Sequence, residues 1–199
     1  MASVLLVCLA SYLLGSIPNG LVFGKLIWHV DLREHGSHNI GATNAWRTLG
    51  KGPGFLIFLL DFLKGALSVG LAEVFAPLPL VMVIAGILAI VGHSCSLFLH
   101  FKGGKGVATG LGVIAMLMPL PSLIVFLVWL AIVMVTKYVS LGSCIAAALV
   151  PILSYAWGYP GVYTAFGVLA AAFIIIRHKA NIVRLMNGTE NKIHAGHRD

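Results

Sequence analysis

All but one of the lysines and arginines in this 199-residue chain fall in four short stretches, and the sequence between those stretches is almost unbroken apolar. The basic stretches are Lys25 to Lys51, Lys102 to Lys105, Lys137, and Arg177 onward; Lys64 alone lies outside them. Apolar runs fall at about 3–23, 54–75, 78–99, 107–118, 122–136, 141–157 and 162–176. With 59% hydrophobic and 10% charged residues and a mean hydropathy of +1.00, a domain of this size has too little interior to hide its apolar surface. Most of that surface must face hydrocarbon. The formal net charge of +7 is scattered between apolar runs rather than gathered on a polar module, which argues against a nucleic-acid ligand. It fits the lysine and arginine bias of cytoplasmic loops.

The gaps without basic residues carry turn signals instead: Ala76-Pro77-Leu78-Pro79, Pro119-Leu120-Pro121 and Gly158-Tyr159-Pro160-Gly161. If the basic stretches stay cytoplasmic, an even number of crossings separates each from the next. The expectation is one all-α polytopic membrane domain over 1–199. It has seven transmembrane helices, the N-terminus outside, the C-terminus cytoplasmic, and cytoplasmic polar segments at 25–52, 100–106, 137–140 and 177–199. The fourth run, 12 residues long, covers only about 18 Å as a helix, against roughly 30 Å of hydrocarbon. It predicts a thin region with a cavity open to the cytoplasm. Fusing 107–136 into one kinked helix would give six spans, but would put Lys137 on the opposite face from Lys105.

Ser3 to Phe23 lacks a basic start and a small-residue cleavage site, so it reads as a retained span rather than a removed leader. Cys8, Cys95 and Cys144 are odd in number and form no C-x-x-C pair, which disfavours a disulfide framework and a zinc site.

Concentrated polarity falls on the expected cytoplasmic side. Phe101-Lys102-Gly103-Gly104-Lys105-Gly106-Val107-Ala108-Thr109 is a basic glycine loop at the start of a helix. Backbone amides, a helix N-terminus and ammonium groups there suit a phosphate-like anion. The stretch from Glu34 to Arg47 is rich in Ser, Asn and Gly; it is either a connecting loop or an oxyanion cradle with Arg47 as a bidentate partner. Asp61 and Lys64, three apart inside an apolar run, form either an ion pair that fixes helix packing or part of an ion route. His178, Asn181 and Arg184 fall at i, i+3 and i+6, a single polar stripe beside the apolar face of Ile182, Val183, Leu185 and Met186.

Other motifs fail. Lys105 is followed by Gly106, so the loop is not a nucleotide P-loop. No G-x-S-x-G elbow occurs. His194 and Asp199 have an H-x₄-D spacing, but in a polar tail where it reads as chance. The eight histidines show no metal spacing, so no metal or other cofactor is expected.

In order along the chain stand Ser37-x-Asn39-x-Gly41-Ala42-Thr43-Asn44-x-x-Arg47, Asp61-x-x-Lys64-Gly65, Gly92-His93, the glycine loop, Ser140-x-x-Ser143, and His178-x-x-Asn181-x-x-Arg184-x-x-x-Gly188-Thr189-Glu190. On this set the chain resembles the bacterial membrane acyl-phosphate:glycerol-3-phosphate acyltransferases, the PlsY family, over essentially its whole length. Cys95 and Ser96 depart from the aromatic residue and proline usual in that family, and His38 and Ile40 replace smaller or turn-forming loop residues.

The resemblance implies acyl transfer from acyl-phosphate to the 1-hydroxyl of sn-glycerol 3-phosphate, giving lysophosphatidic acid and inorganic phosphate at the cytoplasmic face of the inner membrane. It implies no obligate protein partner beyond the lipid bilayer. An acyl-phosphate is already activated, so direct attack without a covalent acyl-enzyme is expected. Positioning and charge stabilisation would then carry the rate.

Lys105, His178, Arg47, Ser143 and Asn181 are the expected catalytic residues. Lys105 and the amides of Gly103, Gly104 and Gly106 would hold the donor phosphate; Arg47, Asn181 and Arg184 would hold glycerol phosphate. Ser37 and Ser143 would donate hydrogen bonds, and Glu190 would orient the cations. Asn39, Gly41, Asn44, Thr109, Ser140 and Gly188 complete the expected binding set, with Asp61 and Lys64 as a structural ion pair. His178 or a substrate phosphate oxygen would be the general base. The rival reading is a transporter or flippase of an organic phosphate, which the intramembrane Asp61–Lys64 pair favours and the lack of an internal repeat opposes.

Overall fold

The computed structural model describes residues 1–193; the His194/Asp199 spacing lies outside them. Ten α-helices account for nearly all of it. They are α1 (Ala2–Ser16), α2 (Asn19–Trp28), α3 (Ala42–Leu49), α4 (Lys51–Phe75), α5 (Pro79–Ser94), α6 (Val107–Leu117), α7 (Pro119–Thr136), α8 (Val139–Ala156), α9 (Gly161–Arg177) and α10 (Lys179–Met186). Four of them, α4, α7, α8, and α5 extended to Leu99, are long and apolar enough to cross a membrane; the bent pairs α1–α2 and α9–α10 bring the number to six. At 11 residues, α6 is shorter. Large apolar side chains such as Leu5, Leu67, Leu80, Leu127, Ile152 and Leu169 are exposed around the bundle, as a lipid-facing surface requires.

The first apolar run is not the single helix over 3–23 that hydropathy predicts. Proline disfavours helical geometry in the residue before it, and Ile17 accordingly adopts φ −58°, ψ 116° and ends α1 at Ser16. The chain resumes as α2 at 45° to α1. A break of this kind leaves helix-end carbonyls unpaired inside an apolar bundle. Lys64 answers it: its ammonium donates to the Ile17 carbonyl at 3.0 Å and pairs with Asp61 at 2.9 Å. Asp61 also accepts from Asn19 Nδ2 at 3.0 Å. The intramembrane charges thus tie α4 to the broken joint.

One other expected helix ends early. The run at 78–99 is helical to Ser94, then turns through a short 3₁₀ segment at Leu97–Leu99; Ser96 Oγ donates to the Ser16 carbonyl. The last span runs to Arg177, and α10 leaves it at 61°, with His178 capping α10 at the bend and Asn181 and Arg184 on α10. The segment at 25–52 is not all loop, because α2 reaches Trp28 and α3 is a separate amphipathic helix.

Small residues let the helices approach. Gly65 of α4 faces the Thr109 carbonyl of α6, and Gly112 of α6 faces the Phe62 carbonyl of α4; a side chain at either would strike backbone. On the other side α7, α8 and α9 pack in sequence, and the main apolar cluster joins the two halves through Val69, Val113, Val125, Val150 and Phe166. Lys105, two residues before α6, bonds Asn181, and Asn181 and Ser140 of α8 both bond Glu190. α6 and α7 are separated at Met118.

Candidate active site

Glu190 reaches the site because the chain reverses after α10. Gly188 takes φ +69° and the Thr189 amide donates to the Arg184 carbonyl at 2.8 Å, folding Glu190 back over the helix it follows. Asn181 and Arg184, one turn apart on α10, then both face it. Its Oε1 accepts from Asn181 Nδ2 at 2.7 Å and from Ser140 Oγ at 2.8 Å, and its Oε2 accepts from Arg184 Nε at 2.7 Å. Burial alone would raise the Glu190 pKa, but the hydrogen bonds from Asn181, Ser140 and Arg184 outweigh it and keep the carboxylate ionised below its ordinary range.

The other face of the Asn181 amide holds Lys105, whose ammonium donates to Oδ1 at 2.7 Å. Burial, with Arg184 and Arg47 nearby, brings the Lys105 pKa down to about 8 against the pull of Glu190. Lys105 is therefore charged at neutral pH but within reach of losing its proton. Arg47, delivered by α3, donates to the Asn191 carbonyl at 2.7 Å, while its buried Nε has no partner among the described residues. Burial lowers its pKa without approaching neutrality.

His178 sits at the bend between α9 and α10. Its Nδ1 lies 2.8 Å from the Ile174 carbonyl, which can only accept, so the proton is on Nδ1 and Nε2 carries the lone pair. Burial, then the Lys105 charge, pushes its pKa down to about 4. Ser143 donates to the Val139 carbonyl one turn back at 2.9 Å.

These groups form the rim of one cavity of about 180 Å³. The rest of the lining is apolar, with Leu111, Phe126, Ala146 and Ala170, and it includes Ile114, Val125, Val150 and Phe166 of the main cluster. Of the sequence-predicted residues, Ser37, Asn39, Gly41, Asn44, Arg47, Lys105, Gly106, Ser140, Ser143, His178, Asn181, Arg184 and Glu190 line it, as does Asp61. Gly103, Gly104, Thr109, Gly188 and Lys64 are not part of the lining. Thr109 packs against Gly65 and Gly188 makes the turn described above.

Two expected binding elements are committed elsewhere. The Gly104 amide donates to the His93 carbonyl at 3.1 Å, and the loop carbonyls of Gly103 and Gly104 accept from Arg177 at 3.2 and 2.9 Å. Glycine is needed at 104 because the Nε2 edge of His93 points at it, where a side chain would overlap the imidazole. Asn44 is equally occupied. Its Nδ2 serves the carbonyls of Leu32, His35 and Asn39, and its Oδ1 accepts from the Ser37 amide at 2.8 Å. It staples the loop that presents Ser37 and Asn39.

Residues beyond the sequence reading also contribute. His93, Phe58, Phe126, Trp129 and Asn191 line the cavity, and Arg177 secures the Lys105 loop. An isolated histidine or tryptophan in an apolar run has no spacing that marks it, although the Gly92-His93 pair belongs to the motif series. Among the described residues, His, Cys, Asp and Glu nowhere gather in threes as a metal would need.

A protein-family model described as glycerol-3-phosphate acyltransferase matches residues 5–188. A glycerol-3-phosphate acyltransferase of Syntrophomonas wolfei is 47% identical over 192 residues, 96% of each chain. A protein of Moorella thermoacetica named glycerol-3-phosphate acyltransferase 2 is 44% identical, covering 95% of this chain and 97% of its own. The crystal structure of PlsY, an integral membrane glycerol 3-phosphate acyltransferase, in its glycerol 3-phosphate form superposes with a TM-score of 0.92 at 42% identity over 96% of both chains. The lysophosphatidic acid form of the same protein gives 0.89 at 41% identity, over 96% of this chain and 95% of that one.

Proposed function

The chain belongs to the glycerol-3-phosphate acyltransferase family of integral membrane enzymes, and on that premise we propose that it takes its acyl group from acyl-phosphate and transfers it to the 1-hydroxyl of sn-glycerol 3-phosphate. The products are lysophosphatidic acid and inorganic phosphate. One observation carries this reading: Arg47, Lys105 and Arg184 line the same cavity as an apolar wall of Leu111, Phe126, Ala146 and Ala170. Both substrates and both products are phosphates, and one of each carries an acyl chain. An apolar wall beside a cationic one suits an enzyme that holds a chain while chemistry occurs.

Lys105 neutralises the donor phosphate, and Arg47 with Arg184 holds the glycerol phosphate. The donor side rests on the Lys105 ammonium rather than on the Gly104 amide, which already serves His93. Glu190 keeps Asn181 and Arg184 in register, and Ser37 and Ser143 offer hydroxyls at the rim. The glycerol oxygen attacks the acyl carbonyl carbon, the bond from that carbon to the phosphate oxygen breaks, and phosphate leaves with the bonding pair.

The hydroxyl proton passes to a phosphate oxygen. A phosphate monoester has its second pKa near 6, so it is a stronger base than an imidazole held down to about 4. His178, neutral at working pH, lines the rim beside the acceptor and helps position it. The enzyme thus contributes positioning and charge.

The rim faces the cytoplasm across a bacterial inner membrane, with α1, α4, α5, α6, α7, α8 and α9 as seven crossings, the N-terminus outside and the C-terminus inside. The clustering of the lysine- and arginine-bearing segments around the rim supports this orientation. Impermeant thiol reagent applied to intact cells should label a cysteine placed at Pro160 and spare one placed at Lys192.

The donor is tested with purified protein in detergent, given glycerol 3-phosphate and palmitoyl-phosphate, palmitoyl-CoA or palmitoyl-carrier protein in separate reactions. Lysophosphatidate and inorganic phosphate should form in equal amounts with the first alone. Turnover with either thioester would overturn the assignment.

A further inference from the structure

The Gly92-His93 pair ends α5 with a buried imidazole that takes no part in the acyl transfer itself. The two ring nitrogens face different parts of the fold. Nδ1 lies 3.7 Å from Asp61 Oδ1 on α4, and Asp61 is itself held by Lys64 at 2.9 Å and Asn19 at 3.0 Å. The opposite edge, at Nε2, points at Gly104, the residue before Lys105. The ring therefore fills the space between a fixed carboxylate and the loop that carries the ammonium of the site.

Backbone contacts seat the loop on the same residue. The Gly104 amide donates to the His93 carbonyl at 3.1 Å, and a side chain at Gly103 would strike that carbonyl and Ser94. From α9, Arg177 holds the loop by donating to the carbonyls of Gly103 and Gly104. The width of the imidazole thus sets how far the loop stands from Asp61. One residue later, Lys105 meets Asn181 at 2.7 Å, a contact that tolerates little displacement.

We propose that His93 is a positioning residue for the acyl transfer: its imidazole is the spacer that holds the loop at the height from which Lys105 reaches Asn181 and the donor phosphate. It acts through Lys105 and touches no substrate. The inference rests on the acyl-phosphate reading for its consequence in catalysis; the placement of Lys105 is measured without it.

The first measurement follows the Lys105 ammonium itself, by competitive acetylation of the unliganded protein across pH with mass spectrometry. Removing the ring in H93A opens a space that joins the cavity, since His93 and Lys105 both line it. Burial is the main cause of the low Lys105 pKa, with Arg184 and Arg47 adding to it and Glu190 and Cys144 opposing. The substitution alters none of these charged or titratable groups, nor Asp61, Lys64 and Arg177 around the imidazole. With the burial relieved, the Lys105 midpoint should rise from near 8 to about 9 or above, toward an ordinary lysine. H93Q, similar in reach and volume, should keep it near 8. In the acyl-transfer assay H93A should lose about ten- to a hundredfold in kcat/KM, the effect of a small misplacement. H93Q should recover most of that loss.

The second measurement is reciprocal. A methyl group added at Gly104 meets the His93 ring before any other group. G104A should therefore cost about as much as H93A in the wild-type background, but about threefold or less when added to H93A, where the ring is gone.

A Lys105 midpoint still near 8 in H93A, with only the thermal stability lowered, would show a residue that merely packs and would overturn the proposal. An equal cost of G104A in both backgrounds would do the same. If H93A does not fold, G104A decides alone: it displaces the loop from the ring, so an unmoved Lys105 midpoint there rejects the spacer role. Wild-type protein inactive with palmitoyl-phosphate would instead count against the acyltransferase reading and leave the acetylation result standing.

Discussion

The Lys105 ammonium donates to the side-chain carbonyl of Asn181 at 2.7 Å, joining residues 76 apart in sequence. The same amide passes its N–H on to Glu190, so the charge that meets one substrate and the carboxylate that organises the opposite wall share a single side chain.

Lys105 sets an alkaline limit on the enzyme. Its pKa of about 8 means that the free protein loses this charge as pH rises through 8. Because kcat/KM reports the free enzyme, it should fall on the alkaline side with a midpoint near there. K105R, always charged, should move that limb beyond pH 10 although its peak rate is lower. K105A should lose on the order of a hundredfold or more.

On the acid side, the two candidate bases separate. If a substrate phosphate takes the proton, kcat/KM should fall below about pH 6, the second pKa of a phosphate monoester. If His178 does so, activity persists until pH approaches 4. A rate profile from pH 4 to 8 with glycerol 3-phosphate subsaturating decides between them.

Glu190→Gln replaces an anion that accepts three side-chain donors with an amide whose NH₂ must face one of them. Lysophosphatidate formation should drop about a hundredfold, as expected when catalytic groups lose their register. The variant should remain folded, with a destabilisation of about 1–3 kcal/mol from unsatisfied buried groups, read from thermal unfolding in detergent.

Removing one member of the buried pair at the α1–α2 break should damage folding rather than chemistry. D61A leaves the Lys64 ammonium and Asn19 without their shared acceptor. A cost of about 3–5 kcal/mol is expected. D61N together with K64M should be milder, because no uncompensated charge remains. Unfolding midpoints of the single and double variants give the comparison.

Arg47→Lys should not rescue Arg47→Ala. Arg47 already spends one nitrogen on the Asn191 carbonyl while its Nε is free among the described residues, so the planar fork is used in two directions. An ammonium cannot do both. Both variants should raise KM for glycerol 3-phosphate, the alanine form by about a hundredfold in kcat/KM.

Sequence by itself settles the membrane class and the approximate helical segments, because exclusion of unpaired backbone from hydrocarbon acts on any long apolar run. It also marks the polar segments that hold the site, since charge cannot sit among such runs without a reason. Tertiary structure alone decides which polar groups are free. Gly104 and Asn44 look like ligands in the sequence, yet His93 and the Leu32–Asn39 backbone claim them. Lys64 reads in sequence as the partner of Asp61, and only the fold shows that it also serves the Ile17 carbonyl at the break before Pro18. Hydropathy is a property of each segment in its solvent, whereas a hydrogen bond is owed to whichever partner folding brings within 3 Å.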